Sequence, residues 1–178
     1  MSLKSKWLFV FIGNDLTGKT TLQKKIIKLL SDDNQDIRLN CNRIFQVTHP
    51  YLIRKISTFS IGNRSYQEKT DDYQTVAGYF ENHLRQADFN TFSSHLIRAD
   101  VEQIILHAHR KYFNVCGIFF SNSIEANPNE NAEISQFSWD ERLVANNPST
   151  NDPDTQDMQL QSIAETFVQM LIHRTLLW

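Results

Sequence analysis

The sequence predicts an α/β protein of three layers, with a five-stranded, mainly parallel sheet between two sets of helices. Three observations carry that expectation: short apolar runs of strand length, helix-period stretches alternating with them, and a glycine turn joining the first run to the first helix. The 178 residues, 40% of them hydrophobic, are enough to bury one substantial core, so a single domain spanning residues 1–178 is expected.

Residues 7–12 (WLFVFI) form a continuous apolar run rich in aromatic and β-branched side chains, the pattern of a central parallel strand buried on both faces. After GNDLTGKT, Leu22, Ile26, Ile27, Leu29 and Leu30 recur at helical spacing, with Gln23, Lys24, Lys25 and Lys28 opposite. A second strand is expected within 37–47, after the polar turn 31–36. His49-Pro50 closes it, because proline disfavours helix in the residue before it. Leu52, Ile53, Ile56 and Phe59 suggest a short helix, and Tyr73, Val76, Ala77, Phe80, Leu84 and Ala87 a clearer one. Residues 89–96 (FNTFSSHL) supply a third strand, and Asp100 with Gln103 suggests a capping box for a helix burying Val101, Ile104, Ile105, Ala108 and Tyr112. Residues 115–120 (VCGIFF) and 142–145 (RLVA) complete the strands, and Leu160, Ile163, Ala164, Phe167, Val168 and Leu171 mark a closing helix. Asparagine and proline concentrate between 122 and 153, where loops around short elements are expected.

A net charge of −2 and a pI near 6.3 give no bulk electrostatic reason to bind DNA, RNA or an anionic membrane, so an anionic ligand must be held locally. No apolar run approaches the roughly 20 residues of a membrane-spanning helix, and the start lacks the apolar core of a secretory signal. The chain reads as soluble and cytoplasmic, with room for a homodimer. Cys41 and Cys116 form no CxxC pair and no cluster with histidine, so two reduced, partly buried thiols are expected in place of a disulfide or zinc site.

Gly13, Gly18, Lys19 and Thr20 satisfy G-x-x-x-x-G-K-[ST]. The glycines allow backbone conformations that a β-carbon would obstruct, so that successive N–H groups from Asn14, Asp15, Leu16 and Thr17 can curl around phosphate oxygens. The following helix N-terminus adds partial positive charge. In this pattern Lys19 reaches the β- and γ-phosphates, the Thr20 hydroxyl ligates magnesium, and Thr21 can add a contact to the α-phosphate. The expected ligand is a nucleoside triphosphate with Mg2+. Without an NKxD motif, or a DxxG after the third strand, ATP is favoured over GTP.

GNDLTGKTT (13–21) resembles the phosphate loop of the thymidylate kinase group within the P-loop nucleoside and nucleotide kinases. The close match covers these nine residues; the remainder is architectural. The resemblance implies a kinase-type P-loop NTPase fold and transfer of a γ-phosphoryl group to a small-molecule acceptor, such as a nucleoside or nucleotide. It further implies that Asp15 lies beside the transferred group, that Arg98 (with Arg142 as a further candidate) anchors an acceptor phosphate, and that the pair Asn146-Asn147 ending the last strand, Asn146 above all, lies near the adenine. The chain departs from that pattern twice: the third strand ends in Ser93, Ser94 and His95 where an acid is usual, and 121–141 contains no lysine where an arginine-rich lid is usual, Arg142 being the first arginine beyond it. A nucleotide-binding regulator and a degenerate kinase therefore stand as alternatives. His95 is a candidate for polarising an acceptor, whereas His107 and His109, two apart on a helix, face different directions.

Overall fold

The computed structural model describes residues 6–32, 39 and 43–176. Its sheet has six strands: β1 (Lys6–Ile12), β2 (Ile44–Gln46), β3 (Thr58–Gly62), β4 (Phe89–Ser94), β5 (Phe113–Phe120) and β6 (Glu141–Ala145). They lie in the order β2-β3-β4-β1-β5-β6, and every pairing is parallel except the antiparallel β2–β3 edge. The helices are α1 (Lys19–Leu30), α2 (Val76–His83), α3 (Arg98–Arg110), α4 (Ser121–Ala126), α5 (Pro128–Ser135) and α6 (Pro153–Leu176), with a 3₁₀ turn at Tyr66–Lys69.

β1 explains the layering. Its side chains alternate across the sheet, so Phe9 and Phe11 join the core under α1 and α6, while Leu8, Val10 and Ile12 join the one under α2, α3 and α5. All five are fully buried, which is why the run is apolar without alternation. Burial of each side chain contributes roughly 1.5–3 kcal/mol.

Three expectations are corrected. The described residues form six strands and not five, and the helix expected at 52–59 is absent: Phe59 belongs to β3, and residues 50–55 form turns. Within TFSIG, Phe59 and Ile61 alternate with Ser60, a two-residue period. The second strand expected within 37–47 is present as the short β2, which pairs antiparallel with β3; positions 33–38, 40 and 42 lie outside the described residues, as does Cys41. Third, α3 begins at Arg98 with Ile97 before it and no side-chain cap; Asp100, inside the first turn, accepts a hydrogen bond from Gln67 Nε2. Cys116 is free and fully buried, which pushes its thiol up to about 12. Among the described residues no helix is long and apolar enough to cross a membrane.

α2 carries a buried histidine. The His83 ring lies 4.4 Å from Tyr79 and 5.3 Å from Tyr73, and neither ring nitrogen has a hydrogen-bond partner. Burial, with Arg85 and Lys69 adding to it, holds its pKa below the ordinary 6.5. The unfolded chain therefore binds the proton more readily, so stability is full above about pH 6.5 and falls as the pH drops through the folded-state value. Thermal melts from pH 8 to 5 should show this loss, and His83→Phe should flatten it; an unchanged slope in the variant would assign the acid sensitivity to other groups.

Candidate functional site

The adjacent strands β1 and β4 send their connections to opposite faces of the sheet: α1 packs on one side and α3 on the other. Open parallel sheets form a crevice beyond the carboxyl ends of such a pair. Residues 13–18 fill the lip of that crevice, and Gly13 N donates to Ser94 O across the two strand ends at 3.1 Å.

The loop's backbone is unusual at two places. Gly18 has φ 96, the left-handed region that glycine tolerates, and a β-carbon there would sit 2.9 Å from Leu160 Cδ2 of α6. Leu16 has φ 63 and is 94% exposed, a conformation that costs a leucine on the order of 1–3 kcal/mol and is recovered by no burial of its side chain. Gly13 is buried against Thr17, whose hydroxyl would stand 2.9 Å from a β-carbon at Gly13.

Lys19 opens α1 and folds its buried ammonium back under this loop. Nζ donates to Gly13 O, to Asn14 O at 2.6 Å and to Thr17 Oγ1 at 3.3 Å, while Thr17 Oγ1 donates to Asn14 O at 2.9 Å. Burial brings its pKa from 10.5 down to about 8, partly offset by the carboxylates of Asp15 and Glu68. Phosphate oxygens reaching the loop would compete for the same ammonium protons.

A cleft of about 650 Å3 opens over the loop. Residues 15–21 form its floor, Asn63, Arg64 and Glu68 beyond β3 one wall, and Pro153, Gln156, Asp157 and Leu160 of α6 the other. Thr20 and Thr21 are exposed to it on the first turn of α1. Arg64 and Glu68 lie 3.7 Å apart, and the segment is fixed by a capping box between Ser65 and Glu68 and by a hydrogen bond from Tyr79 Oη to Arg64 O. The Ser65-x-x-Glu68 spacing is the sequence signal for this turn.

Of the residues expected to act, Asp15 lines the cleft with an exposed carboxylate 3.4 Å from His95 Nε2. The adjoining loop after β4 is tied in by Leu96 N, which donates to Asn14 Oδ1 at 3.4 Å. Arg98 does not line the cleft; it is exposed and pairs with Glu133 at 3.1 Å. Arg142 donates to Ser135 O at 2.8 Å, also away from the cleft. Asn146 is exposed at the end of β6, outside the cleft lining, and it is its neighbour Asn147 that touches the loop. His109 pairs with Asp140 at 2.8 Å on the far side of α3 from His107, which faces Phe80. The stretch 121–141 folds as α4 and α5 against the body, with Ser123, Asn131 and Ile134 buried.

A metal in the cleft would meet the exposed threonines Thr20 and Thr21. Ser93 Oγ and Gln23 Oε1 are buried without hydrogen-bond partners but do not line the cleft, Gln23 Nε2 donating to Gly62 O and Thr91 Oγ1 at 3.3 Å each. Threonine oxygens at the cleft suit magnesium, which commonly takes one or two protein oxygens, the substrate's phosphates and water. Among the described residues no three His, Cys, Asp or Glu side chains converge to hold a metal by themselves. No protein-family model matches the chain, and no curated protein matches it in sequence.

Proposed function

We propose that residues 13–21 are a phosphate loop for magnesium-ATP and that the protein is a kinase transferring the γ-phosphoryl group to a small hydroxyl- or phosphate-bearing acceptor, of nucleoside or nucleotide type. The observation that carries this reading is the buried Lys19 ammonium, held under a glycine loop at the switch point of a parallel sheet. The likeness of GNDLTGKTT to the thymidylate kinase loop directs it toward kinases. In-line transfer forms a bond from the acceptor oxygen to the γ-phosphorus as the bond to the β–γ bridging oxygen breaks, and ADP leaves with that electron pair.

In this reading the Lys19 ammonium turns from its loop carbonyls to the β- and γ-phosphate oxygens, and loop N–H groups hold the β-phosphate. The Thr20 hydroxyl holds magnesium, which when bound offsets phosphate charge. Asp15 orients the acceptor. Arg64 takes the anion-binding role first expected of Arg98, because it is the other cation in the cleft wall and Glu68 beside it acts on Lys19.

The reading is tested by incubating the protein with magnesium-ATP and a panel of nucleosides, nucleoside monophosphates and sugars. Phosphoryl transfer to a panel member supports it; ATP binding without transfer favours a nucleotide-binding regulator or degenerate kinase. That second reading draws on Ser93 and Ser94 standing at the tip of β4 in place of an acid. Where transfer is found, Arg64→Ala should lower kcat about a hundredfold, the usual loss of one charge-stabilising donor. Arg98→Ala should stay within about twofold, since an exposed pair contributes little. The reverse ranking would return the role to Arg98.

A further inference from the structure

The loop is gripped from behind by an asparagine. Asn147, two residues past β6, is 1% exposed, and its amide faces two ways: Oδ1 accepts from Ser121 N at 3.1 Å, and Nδ2 donates to Thr17 O at 3.0 Å. Its own N–H donates to Ser121 Oγ at 2.7 Å and to Ala145 O at 3.0 Å, which fixes the residue on the β5–α4 junction. Asn122 Nδ2 reaches the same Thr17 oxygen at 3.5 Å. Both amides thus converge on one carbonyl of the glycine loop, from elements that lie 105 and 130 residues away in sequence.

A trans peptide is planar, with its C=O and N–H pointing in opposite directions. Holding Thr17 O against the β5–α4 junction therefore turns the Gly18 N–H away from that junction. Gly18, at φ 96, also has no β-carbon to limit its own backbone.

We propose that Asn147 is a positioning residue for the phosphate loop: acting through Thr17 O, it presets the N–H groups that meet phosphate, and it makes no contact with the nucleobase. The inference rests on the nucleotide reading of that loop. It separates Asn147 from the base-proximal role that the family resemblance gives to its neighbour Asn146, since a side chain so buried has no face to offer an adenine.

Two probes distinguish these roles, magnesium-ATP and magnesium-tripolyphosphate, the second having no base or ribose. In Asn147→Asp the shape and the Oδ1 acceptor are kept, but the donor to Thr17 O becomes an oxygen that repels it. Leaving a buried acceptor unpaired is expected to weaken both probes to a similar degree, about ten- to a hundredfold by titration calorimetry. Loss of ATP affinity alone would assign Asn147 to the base, and loss of neither would make it structural only; each overturns the inference. If the variant does not fold, Asn122→Ala and Glu125→Ala decide. The Glu125 carboxylate accepts from Ser149 N at 3.1 Å and ties the same two segments without touching the loop. Tripolyphosphate binding reduced about two- to fivefold in Asn122→Ala and unchanged in Glu125→Ala supports the inference, and equal effects overturn it. If the unaltered protein binds neither probe, the phosphate-loop reading falls, and this inference with it.

Discussion

Lys19→Ala is expected to weaken magnesium-ATP binding at least a hundredfold while the chain stays folded. The ammonium would make charge-assisted hydrogen bonds to two phosphates, each contributing roughly 1.5–3 kcal/mol, and about 1.4 kcal/mol corresponds to tenfold in affinity. In the free protein its partners are the carbonyls of Gly13 and Asn14 and the hydroxyl of Thr17. Water entering from the cleft satisfies those acceptors after truncation, so stability should change less than affinity. Equal ATP affinity in the variant and the unaltered protein would remove the basis of the proposed function.

The same residue predicts opposite pH trends for stability and binding. Burial holds the folded-state pKa at about 8, below the ordinary 10.5, so from pH 8 to 10.5 the unfolded chain binds more protons than the folded one. Stability without ligand is therefore reduced below pH 8 by the buried charge and gains as pH rises through that window; Lys19→Met should abolish the gain. ATP affinity should instead fall above pH 8, as the ammonium deprotonates. Near pH 8 to 9, binding should take up a proton, because phosphate charge favours the ammonium. Calorimetry in buffers of different ionisation enthalpy measures that uptake, and zero uptake would show that phosphates do not contact Lys19.

What the sequence disclosed and what it concealed follow from how locally each feature is encoded. β1 was legible because a strand covered on both faces needs an unbroken apolar run, and the glycine turn because its chemistry lies within eight consecutive residues. β3 was missed because Ile53, Ile56 and Phe59 fall three apart and mimic a helix face, while the alternation of Thr58 and Ser60 with Phe59 and Ile61 spans only four residues. That error hid Arg64 and Glu68, which reach the cleft only because β3 ends beside it. Arg98 follows the strand next to β1, yet the start of α3 turns it to Glu133. Asn147 was visible only as half of an asparagine pair: which of the two points inward depends on how the chain leaves β6, and no local pattern encodes a hydrogen bond to a residue 130 positions away.

Phe9→Ala should be the most destabilising substitution considered, costing about 3–5 kcal/mol in urea unfolding. The ring is fully buried and meets Phe167 of α6 edge-on at 4.9 Å and Phe89 of β4 edge-on at 5.9 Å, so its removal leaves a void that three elements must close together. Dense packing limits that closure, because β1 is held by parallel neighbours on both sides. Phe9→Leu refills much of the volume and should recover more than half of the loss. The consequence reaches the cleft, since α6 rests on Phe9 through Phe167 and its Leu160 packs against Gly18. Loosening α6 should therefore weaken ATP binding in Phe9→Ala by a few-fold even where the variant is fully folded, and saturating ATP should raise its melting temperature less than it raises that of the unaltered protein. A full stability loss with unchanged ATP affinity would show that the loop keeps its shape without α6, through its bonds to Ser94, Leu96, Asn147 and Lys19.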